Sequence, residues 1–228
     1  MVPRGRRATT GDKRDADATR RALLRAGARL FPERGFDGVS VDDLSRRAGV
    51  NKALISYHFG GKRGLYVAVL VSAFAEMARR LAAIEAEASD ARTRLHRFLG
   101  AFEAMTRERP DFPALFLREA LSRGIKPAVV PHLLAIMGVT HRLLERGREE
   151  GLFRRVDPAL FHFGLVGALV FFAATEPARR SAHAATRLPF TPPSPQAFIR
   201  HIEEMTLRGL HPRPSDAGTR KRTKGARS

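Results

Sequence analysis

Between Lys52 and Lys62 the chain places two ammonium groups, the hydroxyl of Ser56, the phenol of Tyr57 and the imidazole of His58. All five are hydrogen-bond donors, and Tyr57, His58 and Lys62 are of the kinds that reach phosphate oxygens. Lys52, Ala53, Ser56 and Tyr57 share the side of a short helix opposite Ile55 and Phe59, which turn inward with Val50. A short polar face of donors is the chemistry of gripping an anionic partner.

Two elements must hold that face. Ser40 can cap a helix whose first turn carries Asp42 and Asp43, so a hydroxyl meets free amides while carboxylates sit at the positive end. Val41, Leu44 and Ala48 fall at helical spacing, and Gly49 suits the left-handed conformation that stops the helix. Asn51 then caps the second helix. Two short helices around a glycine-containing turn form the helix-turn-helix arrangement, whose second helix enters the major groove of DNA.

From Leu30 to Tyr66 the chain reads LFPERGFDGVSVDDLSRRAGVNKALISYHFGGKRGLY. The G-F, V-S-V, A-G-V and Y-H-F-G-x-K elements resemble the TetR family of transcriptional regulators, and the likeness extends back through Thr19, about the first third of the chain. The resemblance implies base contacts from Lys52 and Ala53, with Leu54 as a third candidate, and phosphate contacts from Ser40, Ser56, Tyr57, His58 and Lys62. Ser56 stands where relatives often carry an aromatic residue, and Arg63 replaces a commonly acidic one.

The formal net charge is +18, with 41 Lys or Arg against 23 Asp or Glu. Residues 1–66 carry 15 of these cations against 7 acids, and the tail from His211 carries 6 against 1, so basic charge is densest at the two ends. A phosphate-binding module needs such a distribution. Only 6 of the cations are Lys, and an arginine-rich composition serving solubility would read the same way. With no cysteine, disulfides, thiolate nucleophiles and Cys-based zinc sites are excluded. The charged N-terminus has no signal-peptide core, and the longest apolar run, 163–174, falls short of the ~20 residues that span a bilayer. A cytoplasmic protein with no membrane partner is expected.

Four segments follow: an arm over 1–16 expected to be disordered, a DNA-binding domain over 17–64, a helical regulatory and dimerisation domain over 65–210, and a basic disordered tail over 211–228. Arg4, Arg6 and Arg7 could enter a minor groove, or be solvated. The first domain opens with an amphipathic helix from about Ala18 to Glu33, and a long helix from Lys62 to about Ala88 connects it to the second. Beyond Asp90 the apolar spacing is helical throughout and no run alternates, so the fold class is all-α. Helices are expected over about 90–110, 113–123, 127–150, 158–175 and 195–207. The segment 158–175 is apolar nearly all round and should be buried on several sides. Pro177, Pro189, Pro192, Pro193 and Pro195 make 176–195 a break in which a continuous helix is not expected.

No catalytic constellation is present: there is no H-E-x-x-H, no phosphate-cradling glycine loop and no G-x-S-x-G. Neither enzyme activity, a metal nor a cofactor is therefore expected. Phe98, Phe102, Met105, Phe116, Met137, Phe161 and Phe171 could line a pocket for an apolar or amphipathic effector, with His132 and His162 as its polar groups; each could equally be plain core or surface. The reading that results is a DNA-binding regulator, in the family's commoner mode a repressor, acting as a homodimer on a near-palindromic duplex operator and released by a small molecule. In that family the dimer forms through the helices corresponding to 158–175 and 195–207, where Gly164, Gly167 and Ala168 would allow close approach. A sequence-indifferent, arginine-rich DNA-coating protein is the alternative, and an enzyme built on the helical second domain is a third.

Overall fold

A computed structural model describes residues 10–122, 124–185 and 191–213. Helices in order are α1 (Thr10–Arg34), α2 (Val41–Ala48), α3 (Ala53–Phe59), α4 (Lys62–Ala86), α5 (Ala91–Glu108), α6 (Phe112–Ser122), α7 (Val130–Glu149), α8 (Pro158–Ala174), α9 (Glu176–Ala185) and α10 (Pro195–Leu210), with a 3-10 turn at Pro127–Val129. No strand occurs among the described residues. The chain divides into two compact units, one ending at Ala73 and one starting at Phe74. The division falls inside α4 rather than at its start, where residues 64 and 65 were expected to part the domains.

Local chemistry sets most of these boundaries. Asp90, Asp157 and Ser194 each accept a hydrogen bond from the amide three residues on, at 2.7, 2.8 and 3.1 Å. Pro158 and Pro195 then occupy first-turn positions that need no N–H. The Asp90 carboxyl lies below its ordinary range, chiefly through its hydrogen bonds with Thr93.

In the first unit α1 packs on α2 and α3. Leu23, Phe31, Val39, Leu44, Ile55 and Leu65 are buried, and Phe31, Phe36 and Tyr66 form an aromatic cluster with centroids 5.1–6.3 Å apart. In the second unit α7 packs against α5 and α8, α6 against α8, and α10 against α5. Arg80 forks onto Glu108 (3.0 and 2.6 Å) and also bonds Glu76, joining α4 to α5. Phe172 and Phe198 stack at 3.8 Å, and the Arg179 guanidinium lies 3.7 Å from the Phe172 ring centroid. Arg179 also donates to the Phe172 carbonyl (2.6 Å), closing the end of α8.

Two expectations need correction, and two further findings concern α7 and α8. Residues 10–16 are helical rather than disordered: their lack of apolar positions rules out burial, but a solvated turn can extend a helix anchored further along. The rest of the expected arm, with Arg4, Arg6 and Arg7, and the tail from residue 214 lie outside the described residues. Residues 176–185 form α9, because Pro177 falls in its first turn, where a proline costs no hydrogen bond. Within the single subunit α8, apolar all round, buries one side and leaves Phe163 66% and Phe171 63% exposed, together with Gly164 and Gly167. Pro127–Glu149 is long and apolar enough by composition to cross a membrane, its mean hydropathy staying high although polar residues break its apolar runs. Core helices of water-soluble proteins meet the same test.

The end of α7 yields a stability prediction. Gly147 is buried, its carbonyl accepts from the amides of Leu152 (2.8 Å) and Phe153 (2.9 Å), and a Cβ there would come within 1.9 Å of the Phe153 ring. Replacing an open helical glycine by alanine gains up to ~1 kcal/mol. Gly147→Ala should instead lose ~1–3 kcal/mol, because the ring is hemmed in. Urea denaturation followed by the helical signal measures this, and a gain in midpoint would refute the packing argument.

Candidate nucleic-acid interface and apolar cavity

Ser40 and Asp43 fasten the start of α2 by reciprocal bonds: Ser40 Oγ accepts from the Asp43 amide (3.0 Å), and Asp43 Oδ2 accepts from the Ser40 amide (3.1 Å) and from Ser40 Oγ (2.7 Å). The Ser40 side-chain bond, first among several influences, holds the Asp43 carboxyl below its ordinary range. The Ser40 hydroxyl proton is thus engaged locally. At the turn Gly49 has φ +68°, and Ser45 Oγ donates to the Val50 carbonyl at 2.6 Å. Asn51 Oδ1 accepts from the Ala53 amide at 2.9 Å, and its carbonyl accepts from the Leu54 amide at 3.0 Å, so the expected cap is in place although Lys52 already has helical dihedrals.

Seven residues make α3 too short to persist alone, so tertiary anchors must orient it. Ile55 is fully buried and Phe59 half-buried, with the Arg20 guanidinium 5.2 Å from the Phe59 ring centroid. Lys52, Ala53, Ser56 and Tyr57 are exposed, Tyr57 by 79%, while Leu54 and His58 are half-buried. Lys52 Nζ lies 3.4 Å from Asp42 across the turn, and the Tyr57 and His58 rings meet edge to face at 4.9 Å. The structure therefore gathers the residues expected on the outward face onto one surface.

Lys62 is placed differently. Its ammonium donates to the carbonyls of Phe36 (3.0 Å) and Val39 (2.9 Å) and sits 4.3 Å from the Phe36 ring centroid. Two of its three hydrogens thus hold α4 to the loop between α1 and α2. The neighbouring Arg63 is exposed. Sequence reasoning missed Ser45, whose hydroxyl locks the turn, and Gly64, where a Cβ would fall 1.7 Å from the Phe59 carbonyl oxygen. Neither carries a sequence signal, since both act through a neighbour brought close only by folding.

The second unit contains a cavity of about 520 Å³ walled by α4 to α8 from Phe74 onward. Phe98, Phe102, Met105, Phe116, Met137 and His162 line it as expected. His132, Phe161 and Phe171 do not: Phe171 lies on the exposed side of α8, and from this helix Val166, Val170 and the exposed Phe163 and Gly167 join His162 on the lining. Arg109 is the one permanently charged residue on the lining. Among the described residues no group of three His, Cys, Asp or Glu could hold a metal ion.

Lys62→Ala should lower the stability of the first unit by ~1.5–3 kcal/mol, because two buried-side carbonyls lose a charged donor. Lys52→Ala, at an exposed position, should stay within ~0.5 kcal/mol. Equal losses of melting temperature in the two variants would refute the fastening role of Lys62.

Residues 23–69 match the model of the bacterial regulatory proteins of the tetR family. The HTH-type transcriptional repressor NicS of Pseudomonas putida is 26% identical over 200 residues, covering 86% of this chain and 93% of that protein. The HTH-type transcriptional regulator RutR of Escherichia coli is 24% identical over 222 residues, covering 90% and 97%. In fold, the fatty acid degradation regulator FadR of Bacillus halodurans superposes with a TM-score of 0.70 over 85% of this chain and 97% of its own, at 16% identity. Motif, fold and relatives together show a tetR-type DNA-binding module at residues 23–69 and mark the chain as a DNA-binding transcriptional regulator similar to that family.

Proposed function

We propose that the protein is a cytoplasmic repressor that binds a near-palindromic duplex operator as a homodimer and leaves it when a small apolar or amphipathic effector fills the cavity of the second unit. The observation that carries this reading is the cavity itself: a helical core built only for stability would close a space of about 520 Å³. Its size and apolar lining are those of small-molecule sites, and Arg109 offers a place for an acidic end. The name of NicS, a repressor, supports the sign of the regulation. A sequence-indifferent DNA-coating protein would need no such cavity.

Lys52 and Ala53, with Leu54 at their edge, are the proposed base readers, and Ser56, Tyr57 and His58 the proposed phosphate contacts. Ser40 and Lys62 have one task each within the fold and would touch phosphate with what remains. The face of α8 carrying Leu160, Phe163, Gly164, Gly167 and Phe171 is apolar and exposed, which supports its use as the dimer surface together with α10.

Lys52→Ala should cost ~1–3 kcal/mol at the selected operator and relax one base position. Affinity measured on operator and random duplex at fixed salt tests this, since a specific reader should separate the two by ~10³ or more. Comparable affinity for both would favour the DNA-coating alternative. For the dimer, a Cβ at Gly164 meets nothing within 4 Å in the lone subunit, so Gly164→Leu should leave the fold intact yet yield monomers with weak operator binding. Sedimentation of that variant as an unchanged dimer would move the interface elsewhere.

A further inference from the structure

His162 is 8% exposed and stands on the wall of the cavity, and its hydrogen bonds fix which nitrogen carries the proton. Thr140 has a single hydroxyl hydrogen, and its oxygen lies 2.7 Å from the Met137 carbonyl and 2.8 Å from His162 Nδ1. The carbonyl can only accept, so both contacts are hydrogen bonds in one arrangement alone, with the hydroxyl donating to Met137 and the ring proton on Nδ1. Burial holds the imidazole pKa below 6.5, in the neutral form. Nε2 is then a bare lone pair, and no group among the described residues donates to it. Thr140 is fully buried and lies off the cavity wall, so the Nδ1 edge faces α7 and the Nε2 edge is left for the cavity.

Of the remaining polar groups on the wall, Arg109 only donates. The Thr106 hydroxyl gives its proton to the Glu103 carbonyl at 2.9 Å and keeps an oxygen that can accept, so removal of the imidazole is what separates its part from that of His162. We propose that the cavity selects effectors that present a hydrogen-bond donor to His162 Nε2: an apolar molecule bearing a hydroxyl, phenol or N–H, in preference to its ether, ester or ketone counterpart. A ligand oxygen without hydrogen would set lone pair against lone pair in an apolar enclosure, leaving both unpaired. This selectivity rests on the reading of the cavity as the effector site.

Calorimetric titration of the full chain with para-hexylphenol and its methyl ether, para-hexylanisole, tests the proposal. The phenol should bind roughly ten-fold tighter, the worth of one buried hydrogen bond. His162→Phe should keep its affinity for the ether and lose the preference. Thr140→Val, which frees Nδ1 and the tautomer, should reduce the preference with the ring still present, and serves if the Phe variant does not fold. In nitrogen NMR of the wild-type protein the Nε2 resonance should move with the phenol and not with the ether. Equal binding of the two probes would overturn this inference while leaving the cavity an effector site. A preference that survives in His162→Phe would overturn the role of His162. Binding of neither probe would overturn both this inference and the effector reading beneath it.

Discussion

Ile55 is the one fully buried residue of a helix only seven residues long, and what α3 presents outward depends on that side chain staying inward. Burying an isoleucine is worth about 1.5–3 kcal/mol, too little to hold an isolated turn and a half of helix against its loss of chain entropy. The surroundings supply the rest. The Asn51 side chain meets the Ala53 amide, the Ser45 hydroxyl closes the turn before it, and Gly64 lets α4 come up against the Phe59 carbonyl. The outward face of α3 is an arrangement imposed on a weak helix by its neighbours, so small changes in those neighbours reach the face without touching it.

The second unit solves a different problem. Its helices bury Leu95, Leu99, Leu115, Leu143 and Leu169 tightly, yet Phe98, Met105, Phe116 and Met137 stand around open space. Met and Phe side chains adjust their shape at little cost, whereas the Thr140–His162 bond inside the same wall is directional. A soft enclosure with one oriented lone pair discriminates by hydrogen bonding more sharply than by outline.

The sequence made the caps legible because a cap is a local bargain: Ser40, Asp90, Asp157 and Ser194 each bond an amide three residues away, and the chain order alone reveals it. The outward placement of Lys52, Ala53, Ser56 and Tyr57 followed from helical spacing for the same reason. Fixed by contacts distant in sequence, the role of Lys62 was not legible, since its carbonyl partners lie more than twenty residues earlier. Phe161 and Phe171 were assigned to the pocket because an apolar-all-round helix gives no phase, and only packing decides which side of α8 turns in. Helix α9 was missed because prolines were counted over a segment when the position of the first, Pro177, was what mattered.

The fastening of Lys62 has a consequence for the chemistry of the protein's amines. An ammonium that donates to two carbonyls and rests on an aromatic ring is shielded from an approaching acyl group, while the Lys52 amine stands 67% exposed beside the single carboxylate of Asp42. Acylating reagents should therefore reach Lys52 before Lys62. A sample labelled at Lys52 and not at Lys62 would keep the fastening of α4 to the loop before α2, and any loss in its power to tell one duplex from another would then belong to the outward face of α3 alone.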